Sequence, residues 1–177
     1  MENNPRVSNL FGALVVGVQD QLLHRIETES SIGGQAAAAL VTIGANIGCS
    51  VDFLRVALQI SHSGCVRLID KLAETALVER RGGKDRRVVA LFLTESGQRR
   101  AQRVLRTRRK YLDQVLQSLS TKEQKQLTPL LEILLKKVTT SDRDAESICR
   151  LCDEAVCPQP LCPVTQAIAQ PPQKALA

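Results

Sequence analysis

Residues 50–98, SVDFLRVALQISHSGCVRLIDKLAETALVERRGGKDRRVVALFLTESGQ, change hydrophobic period midway, and that change sets the fold. A short helix, SVDFLRVAL, leads through QIS into a longer one running from Ser61 to about Thr75. Val56, Leu58, Ile60, Cys65, Leu68, Ile69 and Leu72 form the inward set that helical spacing requires. The period then drops to two. LVERR, a GGKD turn and RRVVALFL read as strand, glycine-rich turn and strand, a β-hairpin with a charged tip. Helix, tight turn, helix and charged hairpin together describe a winged helix-turn-helix.

The DNA groove accounts for the outward residues. A major groove admits one α-helix, so a recognition helix needs small polar and basic groups near its N-terminal end. Ser61, His62, Ser63, Val66, Arg67 and Lys71 occupy that face. Ser61, as N-cap, can set the helix N-terminus against a phosphate. At the hairpin tip, Arg86 or Arg87 can reach a neighbouring minor groove or the backbone. From Glu79 to Lys110 twelve Arg or Lys residues face three acidic ones, in a chain of net charge +6. That local excess points to a polyanion, nucleic acid before membrane. For Arg99 to Lys110 taken alone, a solvated helix face is the simpler reading.

In these residues the chain resembles the MarR family of bacterial transcription regulators. VRLIDKL in the recognition helix, LVERR, the DRR wing tip and the LTESG after the second strand carry the likeness. It covers about fifty residues closely, and the flanking long helices match the family's dimerisation lobe only in order and length. The resemblance implies a homodimer on a pseudo-palindromic double-stranded DNA operator, usually as a repressor. It also implies that Asp85 orients Arg87 toward DNA. Two positions depart from the pattern. Ala76 stands where the family usually ends the recognition helix with Gly, and Gly64 replaces a hydroxyl residue.

Outward from this core the chain is helical. Asn4-Pro5 starts a long helix whose Leu10, Leu14, Val18, Leu22 and Ile26 recur every four residues. QAAAALVTIGANIG is a second helix. Thr94 caps a third, whose stripe includes Ala101, Val104, Leu105 and Leu112, and Ser120 with Glu123 forms a capping box for a fourth. Pro129 predicts a kink there, or a true start nearer Thr128. The expected fold class is mainly α with a small β-hairpin wing: a winged helix-turn-helix plus a helical dimerisation lobe. Its expected parts are an N-terminal dimerisation helix (1–30), the winged helix-turn-helix (31–94), C-terminal dimerisation helices (95–140), a four-cysteine segment (141–163) and a disordered tail (164–177).

Four of the six cysteines, Cys149, Cys152, Cys157 and Cys162, fall in SICRLCDEAVCPQPLCPV with the spacing C-x2-C-x4-C-x4-C. No signal-peptide pattern opens the chain, and LFGALVVGV is too short to span a membrane, so a cytoplasmic protein without a membrane partner is expected. In that compartment clustered thiols bind metal or sense redox state more often than they form structural disulfides. Pro158 and Pro163 follow two of the cysteines and turn the chain back. Zinc and a 4Fe-4S cluster both take four thiolates. Some MarR-like regulators carry a similar tail holding a 4Fe-4S cluster for redox sensing, which favours the cluster. The segment directly follows the last long helix, so a signal is expected to pass through the dimer helices to the DNA-binding lobes.

Enzymatic activity is not expected. His24 and His62 are the only histidines, which excludes H-E-x-x-H, and no P-loop or dinucleotide glycine motif appears. Two alternatives stay open: a small-molecule-responsive repressor with structural zinc, and a small iron–sulfur electron carrier. The roles of Cys49 and Cys65 are not assigned, though Cys65 falls on the inward face.

Overall fold

Helix starts follow the side chains that can accept a hydrogen bond from an unpaired first-turn amide. In the computed structural model, which describes residues 4–82, 89–157 and 159–169, Asn4, Ser50, Ser61, Thr94, Ser120 and Ser141 all do so. They open α1 (Pro5–Ser30), α3 (Val51–Leu58), α4 (His62–Glu74), α5 (Glu95–Leu116), α6 (Thr121–Val138) and α7 (Asp142–Cys149). The remaining helices are α2 (Gly34–Ala45) and α8 (Pro163–Ala169), with a short 3-10 turn at Gln159–Leu161. Three strands, β1 (Cys49–Ser50), β2 (Val78–Gly82) and β3 (Val89–Leu93), form an antiparallel sheet in the order β1-β3-β2.

Aliphatic side chains fill the core. Leu40, Ile43, Leu54, Cys65, Ile69 and Leu91 are fully buried and join α2, α3, α4 and β3 in one cluster. Ile26, Ala37, Val41 and Val104 make a second cluster where α1, α2 and α5 meet. Leu151, in the cysteine segment, packs against both. Arg25 of α1 lies over the Tyr111 ring of α5, 4.9 Å from its centroid. In α3 the core positions are Leu54, Ala57 and Leu58, while Val56 is only half-buried.

The LTESG motif fastens the hairpin to α5. Thr94 Oγ1 donates to the Ala76 carbonyl at 2.7 Å and accepts from Gly97 N at 3.0 Å. Thr94 N donates to the Leu77 carbonyl. Ala76 has φ 52°, the left-handed region that costs a non-glycine residue roughly 1–2 kcal/mol. The departure at Ala76 thus leaves the helix end in place, at Glu74, with a strained residue where glycine would sit without strain.

Three expectations change. The wing is a hairpin completed by a third strand, because β1 pairs with β3 through Cys49↔Leu91 and Ser50↔Ala90. The helix around Pro129 has no late start at Thr128, since α6 runs from Thr121 to Val138 with the proline inside it. Residues 164–169, expected to be disordered, belong to α8, which starts at Pro163, is anchored by the buried Val164 and packs against α6 and α7.

Candidate nucleic-acid interface and cysteine segment

The helix-turn-helix is made by two local devices. Gln59 takes a left-handed φ of 55° after α3, and Ser61 Oγ accepts from Gly64 N at 3.1 Å to start α4. A Cβ on Gly64 would lie 3.0 Å from that Oγ, so the missing side chain leaves the cap room. With Cys65, Ile69 and Leu72 buried, the opposite face of α4 is outward. There Ser61, His62, Ser63, Arg67 and Lys71 are exposed and Val66 is half-buried.

Charge on this face is unevenly paired. Asp70 is held by Arg80 Nη2 of β2 at 2.5 Å. Asp52 faces His62 Nδ1 at 3.5 Å and Arg55 Nε at 2.7 Å. The hydrogen bond from Arg55, with a lesser one from His62, lowers the Asp52 pKa. Neither Arg67 nor Lys71 forms an ion pair among the described residues. In β2, Arg81 pairs with Glu79 and stacks over Phe92, 4.3 Å from the ring centroid. Asp85, Arg86 and Arg87 of the wing tip lie outside the described residues.

Of the four clustered cysteines, Cys149 and Cys152 meet at the end of α7, where Cys152 N donates to the Cys149 carbonyl at 2.8 Å. Their side chains are also hydrogen-bonded. That thiol bond, with burial and the nearby charge of Cys152 and Cys162 adding to it, raises the Cys149 pKa. The same bond lowers Cys152 to about 6, against its burial and with help from Arg108. Cys162 is half-buried and Cys157 is exposed. Among the described residues no group of three or more His, Cys, Asp or Glu side chains is close enough to share a metal ion.

The donors are all sulfur and four in number, the set that a 4Fe-4S cluster or tetrahedral zinc takes. A cavity of about 270 Å³ adjoins Cys149, lined also by Asn46, Phe53, Glu146 and Val164. Glu146 Oε2 is buried there without a hydrogen-bond partner among the described residues, and burial raises the Glu146 pKa. Pro158 lies outside the described residues.

Cys49 and Cys65 are a separate case. Burial pushes each thiol up to about 11, Cys65 packs in the core, and its Sγ lies 3.6 Å from the Val51 carbonyl oxygen. At that pKa both stay protonated near neutrality and are weak nucleophiles.

Two residues important to the site carry no sequence signal of their own. Gln59 Nε2 donates to Ser147 Oγ at 2.9 Å, joining the helix-turn-helix to α7. The signal that could find the helix they join is the Ser141 cap, which accepts from Asp144 N, with the helical spacing of Ala145 and Ile148 after it.

Known proteins are similar to this chain in sequence and in the winged-helix fold. A profile of the MarR family matches residues 30–88. The HTH-type transcriptional regulator BilQ of Clostridium symbiosum is 34% identical over 98 residues, covering 55% of this chain and 68% of BilQ. The transcriptional repressor MprA of Escherichia coli K12 is 29% identical over 149 residues, covering 81% and 85%. These relatives are regulators rather than enzymes. A mutant of Staphylococcus aureus MepR bound to an oligodeoxyribonucleotide has the same fold, with TM-score 0.57, 20% identity and coverage of 77% and 99%. No helix among the described residues is long and apolar enough to cross a membrane. With the winged helix in place and a relative matched over two thirds of its length, the chain belongs to the MarR family of winged-helix transcriptional regulators.

Proposed function

We propose that this regulator is a cytoplasmic, homodimeric repressor of a pseudo-palindromic operator, and that a 4Fe-4S cluster on Cys149, Cys152, Cys157 and Cys162 controls its DNA affinity. The carrying observation is α4, which buries Cys65, Ile69 and Leu72 while turning Ser61, Ser63, Arg67 and Lys71 to solvent. Dimerisation is supported by apolar faces on α1 and α6 that no other described part of the chain covers. Repression is carried over from MprA. The all-sulfur donor set and the pairing of Cys149 with Cys152 in one turn at the end of α7 support the control element. When bound, such a cluster supplies one-electron redox chemistry. The protein's own part would be to bring the thiolates of Cys157 and Cys162 to the Cys149 and Cys152 pair at the end of α7.

Anaerobic purification followed by iron, sulfide and zinc assays tests the control element. About four iron and four sulfide per chain are expected. A colourless protein with one zinc would sink the redox reading. It would favour the second one, a structural zinc with a lipophilic effector. That reading has its own support in a cavity of about 640 Å³ lined by Ile32, Leu68, Lys71, Leu72, Leu77 and Arg100.

The DNA face has a separate test. Replacing Arg67 with Ala is expected to weaken binding to an operator-length duplex by at least about 1 kcal/mol. Lys71→Ala is expected to weaken all duplexes alike and to reduce the salt slope by about 1. Fluorescence anisotropy across a salt series reads both. Unchanged affinity and slope in both variants would remove α4 from the interface.

A further inference from the structure

The cysteine segment runs across the molecule instead of hanging from its last long helix. α7 packs on α3, the first helix of the helix-turn-helix, and α8 packs on α6. Three polar contacts fasten the crossing. Ser147 is buried and accepts from Gln59 Nε2 at 2.9 Å. The Arg150 carbonyl accepts from Thr42 Oγ1 of α2 at 3.4 Å. Asp153 accepts from Arg109 Nη2 of α5 at 2.6 Å.

The placement of the thiols among these contacts is the main point. Arg150 and Leu151 are the two residues between Cys149 and Cys152. One contacts α2, and the other packs against both core clusters. Ser147 lies two residues before Cys149, and its partner Gln59 lies two residues before Ser61, the cap of α4. A change in the turn that joins Cys149 and Cys152 must move the residues that hold the α3–α4 turn.

We infer that residues 145–153 are a strap within one protomer, through which the state of Cys149 and Cys152 reaches the recognition helix. Gln59, Ser147 and Leu151 are its positioning residues. The inference rests on reading α4 as the DNA-binding helix, but not on which centre the cysteines hold. The route differs from one through the dimer helices alone, because Gln59 and Thr42 tie the strap directly to α3 and α2, beside its contacts with Arg109 of α5 and with the second core cluster.

The test is a thermodynamic square on the full-length protein. Cys149→Ser with Cys152→Ser is introduced into the wild type and into a Gln59→Ala, Ser147→Ala background. Affinity is measured for a duplex that the wild type selects from random sequence, and hydrogen exchange is followed over residues 51–61. Replacing the cysteines is expected to change affinity about tenfold in the wild type and less than about twofold in the unstrapped background. Exchange in 51–61 is expected to rise in both double variants, while Ser147→Thr alone, which keeps a hydroxyl for Gln59 Nε2 to donate to, should leave protection at the wild-type level.

Equal effects of cysteine replacement in the two backgrounds would overturn the strap. So would an exchange response confined to α6 and α8. If the unstrapped protein does not fold, Gln59→Ala alone replaces it, since that side chain is exposed. If the wild type selects no duplex, the DNA-binding reading fails, and the exchange measurement still decides the strap.

Discussion

Replacing Leu10 and Leu14 together with Asp is expected to give a folded monomer whose affinity for an operator-length duplex falls by about 100-fold or more. The reason lies in the two halves of α1. From residue 19 onward the helix meets the core, with Ile26 fully buried and Leu22 packed against the second cluster. Its first half buries nothing, yet Val7, Leu10, Phe11, Leu14 and Val15 recur along it at helical spacing. Leu10 is 51% exposed and Leu14 57%. α6 likewise has no buried residue and exposes Leu130, Leu131, Ile133, Leu134 and Val138.

Apolar surface on this scale marks an interface, because a lone amphipathic helix gains little by remaining ordered. Two carboxylates per chain at that interface would be buried without partners, which costs far more than the leucines they replace. The core clusters do not include either residue, so the protomer stays folded. A monomer then holds one half-site where the dimer holds two, about 34–36 Å apart, and loses the effective-concentration advantage. Sedimentation velocity and anisotropy on one sample read both quantities. A variant that stays dimeric, or a monomer that binds as tightly as the wild type, would refute the assignment of these faces.

Gly97→Ala is expected to destabilise the fold by about 3 kcal/mol or more, a fall in Tm of roughly 6–12 °C. A Cβ at Gly97 would lie 2.0 Å from the Leu77 carbonyl oxygen and 3.0 Å from its carbon, a clash with backbone rather than a movable side chain. Relief requires moving α5 away from the strand start. That motion breaks the bond from Thr94 N to the same carbonyl and disturbs the cap that Thr94 Oγ1 makes to Gly97 N. The recognition helix feeds directly into this junction through Ala76, whose carbonyl Thr94 also holds. A thermal scan at fixed protein concentration measures the effect, and a shift below about 2 °C would show that the junction yields at little cost.

Much of this architecture could be read from the chain because its signals are local. Asn4, Ser50, Ser61, Thr94 and the Ser120–Glu123 box each cap a helix within three residues of their own position, and periodicity marks the buried face of α4. What escaped reading depends on distant partners. β1 is two residues long and exists only by pairing with β3. α8 is too short to hold by propensity and depends on burying Val164. Pro129 removes one amide donor but leaves α6 continuous, with Thr128 Oγ1 bonding back to the Gln124 carbonyl. At the candidate site, the outward face of α4 followed from spacing, and the four thiols stood out by clustering. Gln59 and Ser147 are 88 positions apart, and neither residue type announces such a contact.

The stack of Arg25 on Tyr111 has an optical consequence. The chain has one tyrosine and no tryptophan, so a single buried ring supplies nearly all its ultraviolet emission. That ring sits at the joint of α1 and α5, remote in sequence from the wing and the recognition helix. Light therefore samples only this joint. A fluorescence change on adding DNA would report on the far lobe of the untouched protein, with no label attached.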